Sequence, residues 1–123
     1  MPQDAKKILL IEDEPLLVEI YSKKFTELGA EVLSVKSAEE GKEMLAKETN
    51  IDLIILDILL PRKDGISFLK EIRKEGKKTP VIILSNLEDK KLLQQAKRLR
   101  VKEYLLKANY TPSQIVEKIK NYL

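Results

Sequence analysis

Short apolar runs alternating with segments of helical period predict an α/β domain, an open, doubly wound parallel sheet with helices on both faces. Three observations carry this. Apolar runs recur at near-regular intervals as KILLIE (7–12), EVLSV (31–35), DLIILD (52–57), PVIILS (80–85) and EYLLK (103–107). The first, third and fourth are nearly continuous hydrophobics, the pattern of parallel strands covered on both faces. Strand and helix alternate throughout, which implies right-handed crossovers.

KILLIE runs into Glu12, Asp13 and Glu14, then Pro15. Leu17, Ile20, Tyr21, Lys24, Phe25 and Leu28 follow at i, i+3, i+4 spacing, and Gly29 is placed to end that helix. After EVLSV, Ser37 and Glu40 form a capping box that opens the second helix. DLIILD ends on Asp57, PVIILS on Ser85 followed by Asn86, and EYLLK on Lys107. Thr111-Pro112-Ser113-Gln114 caps the last helix, with proline at the first helical position, where its missing N–H costs nothing. The apolar stripe of that helix is Ile115, Val116, Ile119 and Tyr122. The strand–helix unit occurs five times, and residues 1–123 read as a single domain with no insertion, repeat or low-complexity linker.

Composition narrows the chemistry. Apolar residues make up 43% and charged residues 35%, ordinary for a globular chain at the charged end of the range. No apolar run approaches the length of a membrane span, and the N-terminus does not read as a signal peptide. Cysteine is absent, so neither disulfides nor thiolate metal sites are available, and a cytoplasmic location is expected. Histidine is absent too, which removes the commonest general base and the usual zinc ligand. The net charge is +3, and lysines are interleaved with glutamates, which reads as a solvated surface rather than a nucleic-acid groove.

In a doubly wound sheet the loops at the carboxyl ends of the strands converge, and sites form there. The residues that end the strands are Glu12 and Asp13, Asp57, Ser85 and Asn86, and Lys107. Two carboxylates roughly 4 Å apart repel by about 4 kcal/mol at an effective dielectric near 20, so three need counter-charge. Lys107 supplies one positive charge, and a divalent cation is the obvious second. All-oxygen ligation selects magnesium, calcium or manganese, and magnesium prefers to share its shell with a phosphate. Taken singly, each residue has a plainer reading: the acids as helix-opening charge, Ser85 as a cap, Lys107 as one more surface lysine. The coincidence of all of them at one rim favours a site.

The ordered pieces ILLIEDEP (8–15), LIILDILLPRKDG (53–65), PVIILSN (80–86) and EYLLK (103–107) resemble the receiver domain of two-component response regulators, the CheY-like superfamily, over essentially the whole length. The resemblance implies a flavodoxin-like strand order of 2-1-3-4-5. It implies Asp57 as phosphoacceptor, and Glu12, Asp13, Asp57 and the backbone carbonyl of Leu59 as Mg²⁺ ligands, with Mn²⁺ or Ca²⁺ as substitutes. Ser85, the Asn86 backbone and Lys107 are implied as phosphoryl contacts, Tyr104 as the aromatic switch, and Pro61 and Gly65 as the turn after the acceptor. Partners implied are a sensor histidine kinase or histidine phosphotransfer protein. A downstream effector, or a second copy of the chain, would bind through the face made by the fourth helix, fifth strand and fifth helix. That face carries Lys90, Lys91, Lys97, Arg98, Arg100 and Lys102, which reads first as a solvated helix surface and otherwise as a surface for an acidic partner or for self-association; membrane association and direct nucleic-acid binding are not expected. Leu16, Leu17, Ile20, Tyr21 and Phe25 are more than one buried stripe needs; core packing explains most of them, and the resemblance implies that the exposed part helps dock the phosphodonor.

Two departures stand out. Ala108 follows Lys107 where the family usually has a cis proline; a non-proline cis bond costs about 2.5–4 kcal/mol, so a trans bond and an altered loop are expected. Leu59 and Leu87, at positions that tune the hydrolytic water, offer it no hydrogen bond, so a long-lived phosphoryl group is expected. Rival readings are weaker. A haloacid-dehalogenase phosphatase needs a second aspartate where Leu59 stands, and the four glycines form neither dinucleotide nor P-loop fingerprints. A phosphoacceptor that assists its own phosphorylation and dephosphorylation is therefore expected, not a turnover enzyme. The alternatives are a receiver-shaped scaffold that is never phosphorylated and an N-terminal fragment of a DNA-binding response regulator.

Overall fold

Apolar runs without polar interruption need cover on both faces, and the computed structural model, which describes residues 5–58, 65–86 and 88–123, provides it. The elements are β1 (Lys7–Ile11), α1 (Pro15–Glu27), β2 (Glu31–Val35), α2 (Ala38–Lys47), β3 (Leu53–Asp57), α3 (Gly65–Lys74), β4 (Val81–Ser85), α4 (Lys90–Arg98), β5 (Glu103–Leu106) and α5 (Pro112–Ile119). Short 3-10 segments cover Lys107–Asn109 and Lys120–Tyr122. All strand pairs are parallel, in the order β2-β1-β3-β4-β5. This is the strand order that the family resemblance implies, in the doubly wound sheet expected from the alternation of strand and helix.

Alternation along each strand divides the core in two. Leu9, Ile11, Ile54, Leu56, Val81 and Ile83 point to one side, where they meet Ala38, Phe68, Leu69, Ile72 and Ala96. Ile8, Leu10, Leu53, Ile55, Ile82 and Leu84 point to the other, against Tyr21, Phe25, Ile115 and Ile119. Strands β3 and β4 are buried along their whole length, whereas β2 and β5, at the sheet edges, are half-covered. Each fully buried large aliphatic side chain contributes about 1.5–3 kcal/mol. The sheet is thereby a stiff platform whose carboxyl ends hold their side chains in fixed relation.

Helix ends repay inspection. Thr111 and Gln114 form the reciprocal capping box expected for α5, with bonds of 3.2 and 2.8 Å. At α2 only half of the expected box forms. Ser37 Oγ accepts from the Glu40 N–H at 3.2 Å, but the Glu40 carboxylate accepts from the N–H of Lys36, one residue earlier than the cap. The last helix also departs from expectation, because α5 tightens into a 3-10 turn after Ile119 and swings Tyr122 outward, 38% exposed.

Helices α1, α3 and α4 end in the same motif. An N–H five residues on bonds back to the last turn (Ala30 to Phe25, Lys77 to Ile72, Val101 to Ala96), and the residue before it takes a left-handed backbone. That residue is Gly29 in α1 and Gly76 in α3, but Arg100, at φ 62°, in α4.

Candidate phosphoryl-acceptor site

Burial at the carboxyl edge is organised by charge. Glu12 continues β1 beyond its last paired residue, its N–H bonded to the Val35 carbonyl at 3.0 Å, and its side chain is buried. Asp57 is the last residue of β3 and is buried as well, whereas Asp13 is exposed. The Lys107 ammonium reaches across from the end of β5 and donates to Glu12 Oε1 at 2.9 Å and to Asp57 Oδ2 at 2.8 Å. The second Glu12 oxygen accepts from the Glu14 N–H at 3.3 Å. Carboxylate oxygens of Glu12, Asp13 and Asp57 all lie within 4.8 Å of one another. Thus four of the residues picked from the strand ends meet.

The titration of these groups follows from their surroundings. Burial pushes the Glu12 carboxyl above its ordinary range; Lys107 pulls it back and the Asp57 charge adds to the rise. For Lys107, burial acts downward, but the bonds to Asp57 and Glu12 outweigh it and hold the ammonium above its ordinary value. The lysine is therefore a fixed cation.

Ser85 ends β4 fully buried, and its side chain lies close enough to the Tyr104 phenol on β5 to influence it. Burial pushes that phenol up, with Ser85 acting in the opposite direction. Asn86 follows, exposed. A groove of about 470 Å³ lies along α4 and β5, lined by Glu88, Asp89, Lys90, Leu93, Tyr104 and Leu106. Tyr104 thus joins the rim to an outer face.

Among the described residues no peptide bond is cis, so Lys107–Ala108 is trans and the chain turns there through a 3-10 segment. Gly65 opens α3 where a Cβ would stand 2.7 Å from the Ile58 Cα, a backbone clash that ties this glycine to the turn beyond the acceptor. Leu59, Pro61 and Leu87 lie outside the described residues. Tyr21 escapes a reading of strand ends. It sits on α1, buried, with its phenol within electrostatic reach of Lys107, Glu12 and Asp57, and burial pushes it up. Its helical spacing marks it as core or as part of the expected docking surface of α1, not as a site residue, and its burial settles it in the core.

All-oxygen donors converging from two strands fit a hard divalent ion, and the cluster has the negative charge to hold one beside Lys107.

The family described as the response regulator receiver domain matches residues 8–120. A curated relative, the "Probable C4-dicarboxylate response regulator DctR" of Bacillus subtilis, is 38% identical over 99% of this chain and 55% of its own length. The "Regulator of RpoS" of Escherichia coli is 36% identical over 86% of this chain and 31% of its own length. The chain thus spans about half or less of these relatives. Among solved structures, the CheY-like receiver domain protein of Methanospirillum hungatei superposes with a TM-score of 0.87 at 23% identity, covering 96% of this chain and 93% of that one. The phosphorylated cyanobacterial phytochrome response regulator RcpA gives 0.81 at 29%, covering 95% and 90%.

Proposed function

The chain belongs to the response regulator receiver family, signalling domains of two-component systems, and from that premise we propose that Asp57 is the phosphoacceptor of a phosphorelay. The observation that carries this reading is the Lys107 ammonium bonded to both Asp57 and Glu12, with Asp13 in the same carboxylate cluster. An Asp57 oxygen attacks the phosphorus of a phosphohistidine on a sensor kinase or phosphotransfer protein. The new P–O bond forms as the P–N bond breaks, and the departing imidazole nitrogen keeps that electron pair and takes up a proton. A carboxylate ion-paired with Lys107 needs no base to activate it, which accords with a chain that has no histidine.

Receiver domains bind Mg²⁺ through acidic residues; here Glu12, Asp13, Asp57 and the Leu59 carbonyl would hold it, and when bound it supplies charge neutralisation for the phosphoryl oxygens. Lys107 holds its proton and positions its ammonium at the acceptor carboxylate. Ser85 and the Asn86 backbone would contact the phosphoryl group. Drawing Ser85 inward changes the surroundings of Tyr104, which lines the groove between α4 and β5. An effector or a second copy of the chain reads the altered α4-β5-α5 face, and the reading places this exchange in the cytoplasm. Among the described residues no helix is long and apolar enough to cross a membrane.

Incubation with a small-molecule phosphodonor and Mg²⁺ tests the assignment. Intact-mass measurement is expected to show gain of one phosphoryl group, lost in Asp57→Asn and on chelation. A chain that gains none under these conditions, or a variant that still gains one, overturns it in favour of an unphosphorylated scaffold. Leu59 and Leu87 predict slow loss of the phosphoryl group; Leu59→Asn, able to orient a water, is expected to shorten its half-life.

A further inference from the structure

Far from Asp57, at the amino-terminal ends of β4 and β5, the fold gathers cations that the sequence disperses. Arg73, near the end of α3, stitches two loops together: its Nε donates to the Leu99 carbonyl at 2.8 Å, and its Nη1 to the Thr79 and Lys77 carbonyls at 2.8 and 3.1 Å. The N–H of Lys102 bonds to the Val81 carbonyl at 2.7 Å, closing the same edge. Around this seam stand Lys74, Lys77 and Lys78 and, from the end of α4 and the α4–β5 connection that also borders the α4-β5-α5 face, Arg98, Arg100 and Lys102, all exposed except half-buried Lys77. The nearby acids on α3, Glu71 and Glu75, are engaged by Lys42 at 3.7 and 3.1 Å. None of the six cations has an ion-pair partner among the described residues. Burial, and with it the Arg100 charge, pushes the Arg73 guanidinium's proton affinity down, so positive charge is crowded here.

Arg100 adds an independent observation. Three helices end in the same left-handed motif; two use glycine, and Arg100 is the sole non-glycine residue with positive φ among the described residues. A left-handed conformation costs a side-chain-bearing residue energy that glycine escapes. Glycine would be the better residue here for folding alone. An arginine kept at that cost points to use of its side chain.

We propose that this edge is a docking surface for the phosphodiester backbone of a nucleic acid, bound without reading its sequence. Charge and composition select the occupant. The exposed large apolar residues among those described are Leu16, Leu28 and Tyr122, and none lies in the patch. Protein hot spots set a Trp, Tyr or Arg in a well-packed, desolvated pocket, which this patch of exposed charge lacks, and a membrane needs apolar residues to receive. A phosphate backbone needs only cations. The mixed charge that argues against a nucleic-acid groove in the linear sequence is sorted by the fold at this one edge. Since the edge is opposite the acceptor, such binding leaves the acceptor site open.

The test is fluorescence anisotropy of a labelled random-sequence duplex against the whole chain, repeated across salt concentrations. Six contacts predict a log–log slope approaching about −5, at about −0.9 per contact. Lys77→Gln/Lys78→Gln/Lys102→Gln is expected to reduce the slope by about one per residue, whereas Lys23→Gln/Lys24→Gln/Lys36→Gln, with the same loss of net charge, leaves it nearly unchanged. Arg100→Gly is expected to raise the thermal midpoint while weakening binding. Equal losses in both triple variants overturn the proposal. So does an Arg100→Gly variant that binds as well as the parent, or tighter binding of polyglutamate or of anionic vesicles at matched salt.

Discussion

Lys107 is asked to hold together two buried carboxylates, with a third within 4.8 Å of them, and its geometry shows how far one cation can do so. Burial still pushes Glu12 upward despite the ammonium at 2.9 Å, so the ionised cluster is a local cost to the fold. Replacing Glu12 with Gln keeps its size and removes one negative charge. In chelator the variant is expected to be more stable than the parent by on the order of 1 kcal/mol. At saturating Mg²⁺ the order is expected to reverse, because the parent gains binding energy that the variant loses. Thermal unfolding of both proteins in the two conditions checks this, and an unchanged ranking would contradict it. The identity of these residues was legible from the ends of apolar runs. Their pairing was not, because Lys107 and Glu12 are 95 positions apart and only the sheet order brings them together.

At the scale of elements, local rules worked where neighbours alone decide. Pro112 and the Thr111–Gln114 box start α5 as expected, because every atom involved lies within four residues. Helix ends contacting other elements escaped those rules. Tyr122 belongs by spacing to the buried stripe of α5, yet it donates its phenol hydrogen to Glu103 on β5 at 2.6 Å. That bond raises the phenol's pKa, with burial adding to it. A folded-state pKa above the unfolded value means the bond stabilises fully below the ordinary phenol pKa, and the contribution fades as pH rises through the folded value. Ultraviolet titration, as a difference against Tyr122→Phe, is expected to place this phenol above the ordinary tyrosine range, and Glu103→Gln to bring it back.

The molecule as a whole is a sheet with two cores, one on each face, and the two report separately on stability. Phe25 on α1 and Phe68 on α3 are each fully buried, on opposite sides of the strands. Phe25→Ala and Phe68→Ala are each expected to cost about 3–5 kcal/mol. Because they share no cluster, the costs in a double variant are expected to add within about 0.5 kcal/mol, as read by denaturant unfolding. A large coupling term would mean that the sheet transmits strain between its faces.

The amino-acid sequence by itself determined the alternation of strand and helix, which strands are central, and which side chains crown the carboxyl edge. Those are consequences of hydrophobic period and of where each apolar run stops, both local properties of the chain. Tertiary structure decided who meets whom. It joined Lys107 to Glu12 and Asp57, brought Tyr21 within electrostatic reach of the site, set Ser85 near Tyr104, and brought lysines and arginines from two loops to one edge. The reason is physical: Coulombic and hydrogen-bonding partners are chosen by distance in space, and residues far apart in the chain acquire that distance only when the strands take their order.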